Sequence, residues 1–345
     1  MANSSVVSGA TTLELVPLAA MPVVVGASSG RVLAAPDVRA GRTLLIAAEL
    51  PGLGDAPLAG PRVSVIAAGE EAGWREAALL YSLDDGATWI TSGGTAAPGV
   101  IGRIDAVPAA ASAWLADRRS SVTVALARLD MMLADADATG LGQGRNLALM
   151  GDELVQFAHA APLGGGRWRL TDLVRGVRGT EAAIGTQRAG DRFALVEADA
   201  IAPIDLPVSA IGRRLRILAS GAGDEADPIE VSLAVTGASV APPTPVHMSA
   251  TVAGDGGLTL HWVRRSRAGW SWLDGADVPL VEEAERYRVM LSGGGTDRVF
   301  DVAEPRLTLL PAEGPDGTVR MQIVQRGTLA ASPAAQFTFD AGDAR

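Results

Sequence analysis

Apolar positions recur along this chain in short alternating runs, and clusters of Gly, Pro and Asp separate the runs. A period of two bounded by turn residues is the pattern of half-buried strands. In the first third, Thr12 to Val16, Pro22 to Gly26, Thr43 to Glu49, Arg62 to Ala68, Ala77 to Ser82 and Thr88 to Thr91 are expected strands, with Asp84-Asp85-Gly86 as the turn between the last two. Val122 to Leu129 is another, and Leu129 to Leu133 either continues it or makes a turn of helix. Asn146 to Met150 and Glu153 to Ala158 flank Gly151-Asp152, a two-residue linker suited to a tight hairpin. A turn at Leu163-Gly164-Gly165-Gly166 leads into Arg167 to Thr171, where alternation puts Trp168 and Leu170 on a buried face and the arginines on the other. Asp191 to Val196, Ile204 to Val208, Arg214 to Ala219 and Val231 to Val235 follow, before the stiff linker Ala241-Pro-Pro-Thr-Pro245.

The pattern predicts an all-β chain of several small β domains in series: a β-rich domain over 1–115, a β domain with the hairpin and an Arg-Gly module over 116–240, and a third over 241–345. The last part resembles a fibronectin type III domain. Leu258 to Trp262 is its expected second strand with Trp262 as core anchor, Tyr287 to Leu291 the third, and Thr318 to Gln325 and Gln336 to Phe339 complete the sandwich. The sixth strand carries no tyrosine, so the tyrosine corner of such sandwiches has no residue to form it. The second and third strands are separated by 263–286, far longer than a connection of about 2–6 residues.

The segment Arg175-Gly-Val-Arg-Gly-Thr-Glu181 brings two guanidiniums together on glycines that tolerate positive φ. Arg175, Arg178, Thr180 and Glu181 are expected to form an internal clamp, an arginine bonded to Glu181 or to strand-end carbonyls so that the loop is pinned to the hairpin; a direct role between subunits is the alternative. Taken together, Met150 to Ala158, Gly166 to Leu170 and Leu173 to Glu181 resemble the C-terminal region of the tail-tip or baseplate hub proteins of gene transfer agents and related siphophages, and more distantly the lambda-type central tail fibre proteins. The resemblance covers about residues 60 to 340, including Trp74 to Thr91, Gly99 to Gly102 and the insert from Val263 to Leu280. Where that family places a histidine three residues before a glycine, this chain has Gln187 before Gly190.

Composition narrows the chemistry. The net charge of -10, from 29 basic and 39 acidic residues, argues against a nucleic-acid or anionic-membrane surface. All 29 basic residues are arginine, which excludes lysine Schiff bases, P-loop lysines and Tyr-Lys pairs, and the lack of cysteine excludes thiol catalysis and disulfides. The N-terminal stretch lacks the basic region of a signal peptide, and no apolar run approaches the roughly 18 residues of a membrane span, so the chain reads as soluble and made in the cytoplasm.

Four motifs tempt a catalytic or metal reading. Val23 to Arg31 copies the start of a dinucleotide loop, but Pro36 interrupts the helix such a loop must open. Asp135, Asp137 and Thr139 have calcium-loop spacing, but Asn146 stands where a bidentate glutamate belongs. His159, His247 and His261 show no metal-ligand spacing, and Asp84-Asp85 beside Gly86 are turn formers. No catalytic residue, metal or cofactor is therefore expected.

The resemblance implies a structural component of a phage or gene transfer agent tail tip, the distal part of the baseplate hub, connecting the tail to fibres or other baseplate proteins. It implies a homotrimer beside an N-terminal hub part, a distal tail protein and a fibre, located in the virion after assembly in the host cytoplasm. The chain would be a separately encoded half or a fragment of a longer hub. Arg264, Arg265, Arg267, Trp270, Trp272 and Asp274 in the insert are the expected partner-binding residues, because aromatics beside arginine are the usual interface anchors; equally, the insert folds back on its own domain through Arg-Glu pairs with Glu282, Glu283 and Glu285. In the alternative reading, a carbohydrate- or receptor-binding adhesin, Trp270 and Trp272 stack on a host glycan.

Overall fold

A computed structural model describes residues 3–7, 10–14, 38–54, 56–224, 227–268, 278–293, 296–314 and 317–341. The expected strand Pro22 to Gly26, the glycine loop that follows it, and Trp270, Trp272 and Asp274 lie outside the described residues. Among the described residues strand far outweighs helix, so the class is all-β. The chain divides into two compact units, residues 1–37 and 38–345. In the first, β1 (Asn3–Val7) pairs antiparallel with β2 (Ala10–Glu14).

The second unit begins with β3 (Thr43–Ala48), β4 (Arg62–Gly69), β5 (Ala77–Ser82) and β6 (Ile90–Gly94). Next come β7 (Ile101–Ala106), β8 (Asp117–Leu126), a short helix α1 (Ala138–Gly142), β9 (Leu147–Met150), β10 (Glu153–Gly164), β11 (Arg167–Val174) and β12 (Arg192–Leu195). These six strands close into a barrel in the order β10-β11-β8-β7-β12-β9. The chain then returns to the first part with β13 (Ile201–Asp205), β14 (Arg214–Gly221) and β15 (Ile229–Ala234). One sheet is β13-β4-β3 and the facing one β15-β14-β5-β6, with Val63, Val65, Trp74, Leu79, Leu215 and Ile217 between them.

The barrel is thus inserted between two halves of a sandwich, which corrects the serial division expected at residue 115. That boundary falls between β7 and β8, which pair with each other from Gly102↔Leu126 to Ala106↔Thr123. The closing pairs, β7 with β12 and β13 with β4, join residues 89 to 143 positions apart, which no local pattern reveals. β4 couples the two bodies. Val63, Val65 and Ala67 face the sandwich core while Ile66 and Ala68 belong to the barrel's core with Ile104, Leu149 and Phe157, so all but one of its residues are buried. A strand covered on both faces reads as a continuous apolar run, as Val63 to Ala68 does.

The C-terminal part comprises β16 (Val246–Val252), β17 (Leu258–Val263), β18 (Tyr287–Gly293), β19 (Thr296–Val302), β20 (Arg306–Leu309), β21 (Thr318–Gln325) and β22 (Ala335–Asp340). Its sheets, β16-β17-β20 and β19-β18-β21-β22, give the three-plus-four arrangement of a fibronectin type III-like sandwich. Trp262 is fully buried and meets Tyr287 edge-on with ring centroids 5.2 Å apart.

Candidate functional site: the Arg-Gly module

Arg175 directly follows β11, and its guanidinium is completely buried at one end of the barrel. Glu153, the first residue of β10, is buried with it, and the two meet as a fork: Nε donates to Oε1 and Nη2 to Oε2, both at 2.8 Å. Nη1 donates to the Ala109 carbonyl at 2.9 Å in the loop between β7 and β8, and lies 3.6 Å from Asp117 Oδ2 at the start of β8. The Gly176 N–H and Gln187 Nε2 each donate to the Glu153 carboxylate at 2.8 Å. A buried carboxylate survives only when charge and lone pairs are met, and here two guanidinium N–H groups, a backbone amide and a side-chain amide meet them. Burial works against the charge of Asp117, but the Ser120 and Arg119 N–H groups and Arg175 outweigh it and hold its carboxyl below the ordinary value.

The backbone of the module is shaped for this. Gly176 has φ 61°, and a Cβ there would lie 2.8 Å from the Glu181 Cα, so a side chain has no room. Arg178 takes the left-handed region at φ 58°, uncommon outside glycine, and its Nη1 donates to the Gly52 carbonyl at 2.9 Å. The Thr180 hydroxyl accepts from the Leu154 N–H at 3.0 Å and donates to the Val177 carbonyl at 2.9 Å, which ties the turn to β10.

The expected clamp residues therefore act on three different parts of the chain. Among the described residues, the hydrogen bonds of Arg175 go to Glu153 and Ala109 and not to Glu181. Glu181 receives Arg265 of the C-terminal sandwich, with Nη1 to Oε1 at 2.6 Å and Nη2 to Oε2 at 3.1 Å, while Arg265 Nε donates to the Thr244 carbonyl in the linker at 2.7 Å. Gly179 lies against Pro243 of the same linker. Arg267 donates to Glu282 at 2.7 Å and to the Leu58 carbonyl at 2.9 Å, and Arg264 donates to the Val278 carbonyl at 2.6 Å. The three insert arginines thus each bond to this chain, as in the reading in which the insert folds back on its own domain. A guanidinium beside a carboxylate and a carbonyl of its own chain, as for Arg265 and Arg267, is satisfied at no translational cost.

Between the three bodies lies a cleft of about 580 Å³ lined by Leu50, Pro51, Arg178, Pro242, Pro243 and Ser332. The residues that sequence reasoning missed are Glu153, Gln187 and Asp117. Glu153 had one signal: it is the only ionisable residue in the apolar run Glu153 to Ala158. The calcium-like spacing dissolves into separate duties: Asp135 accepts from the Ala160 N–H at 2.8 Å, and Asp137 caps α1 through Gly140 N–H at 2.8 Å. Among the described residues no three acidic or histidine side chains are grouped to hold a metal, and no helix is long and apolar enough to cross a membrane.

Comparison with known proteins supports the barrel as a unit. A family model described as Rcc01698-like, C-terminal, matches residues 99–194, which coincides with β7 to β12. That family is found in gene transfer agent proteins. No curated protein matches the chain. Solved structures similar to it include domains d3-d4 of the rat CD45 extracellular region, at 9% identity and TM-score 0.23, covering 34% of this chain and 57% of that one. A two-domain fibronectin type III segment of chicken tenascin aligns at 12% identity and TM-score 0.23, covering 69% and 99%. The fibronectin type III domain of human fibronectin type III domain containing protein 3 aligns at 18% identity and TM-score 0.18, covering 30% and 92%. The alignment spans little more than half of the rat CD45 segment. The fibronectin type III-like assignment rests on the strand order of β16 to β22.

Proposed function

We propose that this chain is a non-catalytic structural component of a phage or gene transfer agent tail tip, the distal part of a baseplate hub that connects the tail to fibres or other baseplate proteins. The observation that carries this reading is the match of the Rcc01698-like family to the barrel, whose Arg-Gly module is bonded to both neighbouring bodies through Arg178 and Glu181. A connector must transmit load without flexing, and a charge-assisted fork between rigid sheets resists displacement better than a bare proline linker. On this reading the chain resides in the virion after assembly in the host cytoplasm, as a homotrimer beside an N-terminal hub part, a distal tail protein and a fibre. The insert carrying Trp270 and Trp272 is the proposed fibre-docking element. Immunogold labelling of intact particles with an antibody to the C-terminal sandwich tests the reading. Gold at the end of the tail remote from the capsid is expected; gold on the capsid, or particles that carry none of the chain, would overturn it.

A further inference from the structure

β3 and β15 run side by side in the same direction, yet no ladder joins them. At one end of the pair, Arg42 meets Asp227 at 2.8 Å and the Thr43 N–H donates to Asp224 at 2.8 Å. At the other, Glu49 accepts from the Thr236 and Gly237 N–H groups at 2.7 and 3.1 Å. Between these ties Cα atoms of the two strands come within 8 Å, but β3 is the edge of one sheet and β15 the edge of the facing one.

Alternation along each ladder decides which backbone groups face this seam. Glu70 donates to the Arg42 carbonyl, so Leu44, Ile46 and Ala48 bond to β4 while Thr43, Leu45 and Ala47 turn the other way. The Thr43 N–H goes to Asp224 and the Ala47 carbonyl accepts from Arg192 at 2.7 Å, which leaves the N–H and carbonyl of Leu45 between them. On β15, Val235 donates to the Arg213 carbonyl, so Leu233, Val231 and Ile229 bond to β14, and Ser232 turns its N–H and carbonyl to the seam. The seam opens on a groove of about 530 Å³, with Leu44, Ile46, Val231 and Leu233 on the sandwich side and Ile101 and Leu126 on the barrel side. The charged residues of its lining are Arg103 and Arg192. Arg192 is occupied by Asp152 and two carbonyls. Arg103 is exposed and gives one N–H to the Gly190 carbonyl, and among the described residues no carboxylate pairs with it.

We infer that this groove takes an extended peptide segment of another protein, one that carries a carboxylate. Backbone N–H and carbonyl groups left over at a strand edge are met in kind by one more extended backbone, which is the basis of recognition by strand addition. The apolar walls suit alternate side chains of such a segment. Arg103 suits an acidic one, because the lining holds cations and no anion in a protein of net charge -10. The volume falls in the range of about 300–1,000 Å³ usual for ligand sites. A second copy fits less well: an edge strand of a folded copy brings its sheet with it, and β7 and the end of β8 wall the groove.

The test selects random octapeptides by ribosome display on the immobilised full chain. Peptides that alternate apolar and polar residues and hold an aspartate or glutamate should be enriched. The strongest, labelled with fluorescein, should saturate in an anisotropy titration and should protect the Leu45 and Ser232 amides from hydrogen exchange. Ser232→Pro deletes a seam N–H that lies outside the β14 ladder, and Arg103→Glu reverses the charge of the groove. Both side chains are exposed, so both variants should fold, and each should weaken binding at least tenfold. Ser232→Thr keeps the N–H and should bind as wild type does, and replacing the acid of the peptide by arginine should restore binding to Arg103→Glu. If Ser232→Pro does not fold, the charge reversal and its rescue decide. No enriched octapeptide, a titration that Arg103→Glu leaves unchanged, or protection confined to other strands would each overturn the inference. So would a wild-type dimer that Ser232→Pro dissolves, since the seam would then hold a second copy.

Discussion

Replacing Arg175 by alanine probes the buried fork directly. The substitution removes two bonds to Glu153 and one to the Ala109 carbonyl, and takes away the cation 3.6 Å from Asp117. The Glu153 carboxylate, with no solvent exposure, keeps only the Gly176 N–H and Gln187 Nε2 as donors. Leaving one partner of a buried ion pair uncompensated costs about 3–5 kcal/mol. That is a large share of the roughly 5–15 kcal/mol a domain has in total. Arg175→Lys restores the charge but not the planar fork, and should cost about 1–3 kcal/mol. Arg175→Met with Glu153→Met removes both charges and should be more stable than Arg175→Ala, because an apolar pair pays no desolvation. Three bodies need not unfold together, so hydrogen exchange of β10 and β11 amides in a urea series is the appropriate assay. An Arg175→Ala protein within about 0.5 kcal/mol of wild type, or a double variant less stable than the single one, would refute the buried-charge argument.

Three further outcomes follow from the same geometry. Gln187→Leu removes a donor from the Glu153 carboxylate and should cost about 1–3 kcal/mol in the same assay, whereas Gln187→His, whose ring N–H can still donate, should lie nearer wild type. Arg265→Glu should speed proteolytic cutting in the linker 241–245, and adding Glu181→Arg should slow it again; the pair is partly exposed at 21% and 26%, so the effect is about 0.5–1 kcal/mol, and an unchanged cutting rate would exclude a latch. The Asp84 carboxyl is lowered to about 2, chiefly by the Thr88 hydroxyl and then by the Thr88 N–H and the Ser82 hydroxyl. Its folded value lies below the unfolded one, so its stabilisation is present above about pH 4 and is lost as pH falls towards 2. An NMR titration of Asp84 should show this midpoint, and Thr88→Val should raise it; a midpoint at the ordinary 3.8 would show that the hydroxyl does not hold the carboxylate.

Local pattern determined most strands in this chain because a period of two is written into adjacent residues. Ala77–Ser82 and Thr318–Gln325 have the predicted bounds, and Leu258–Val263 and Tyr287–Gly293 are the second and third strands of the terminal sandwich as expected. The Arg-Gly segment was legible as a binding loop, since two arginines on glycines have few other uses. Its partners were not: Glu153 is 22 positions from Arg175, Glu181 is 84 from Arg265, and Gly52 is 126 from Arg178. Nothing in the chemistry of a carboxylate says which guanidinium will reach it, because that depends on which strands close the barrel. The inserted order of the bodies was hidden for the same reason. β7 and β12 show the same alternation whether they pair with each other or with another sheet, and only the register Arg103↔Arg192 decides it. The apolar run of β4 is equally silent about what covers each face. Sequence determined the elements and the donors, and the long-range pairing, selected by burying both faces of β4 and the charge of Glu153 at once, decided where each of them acts.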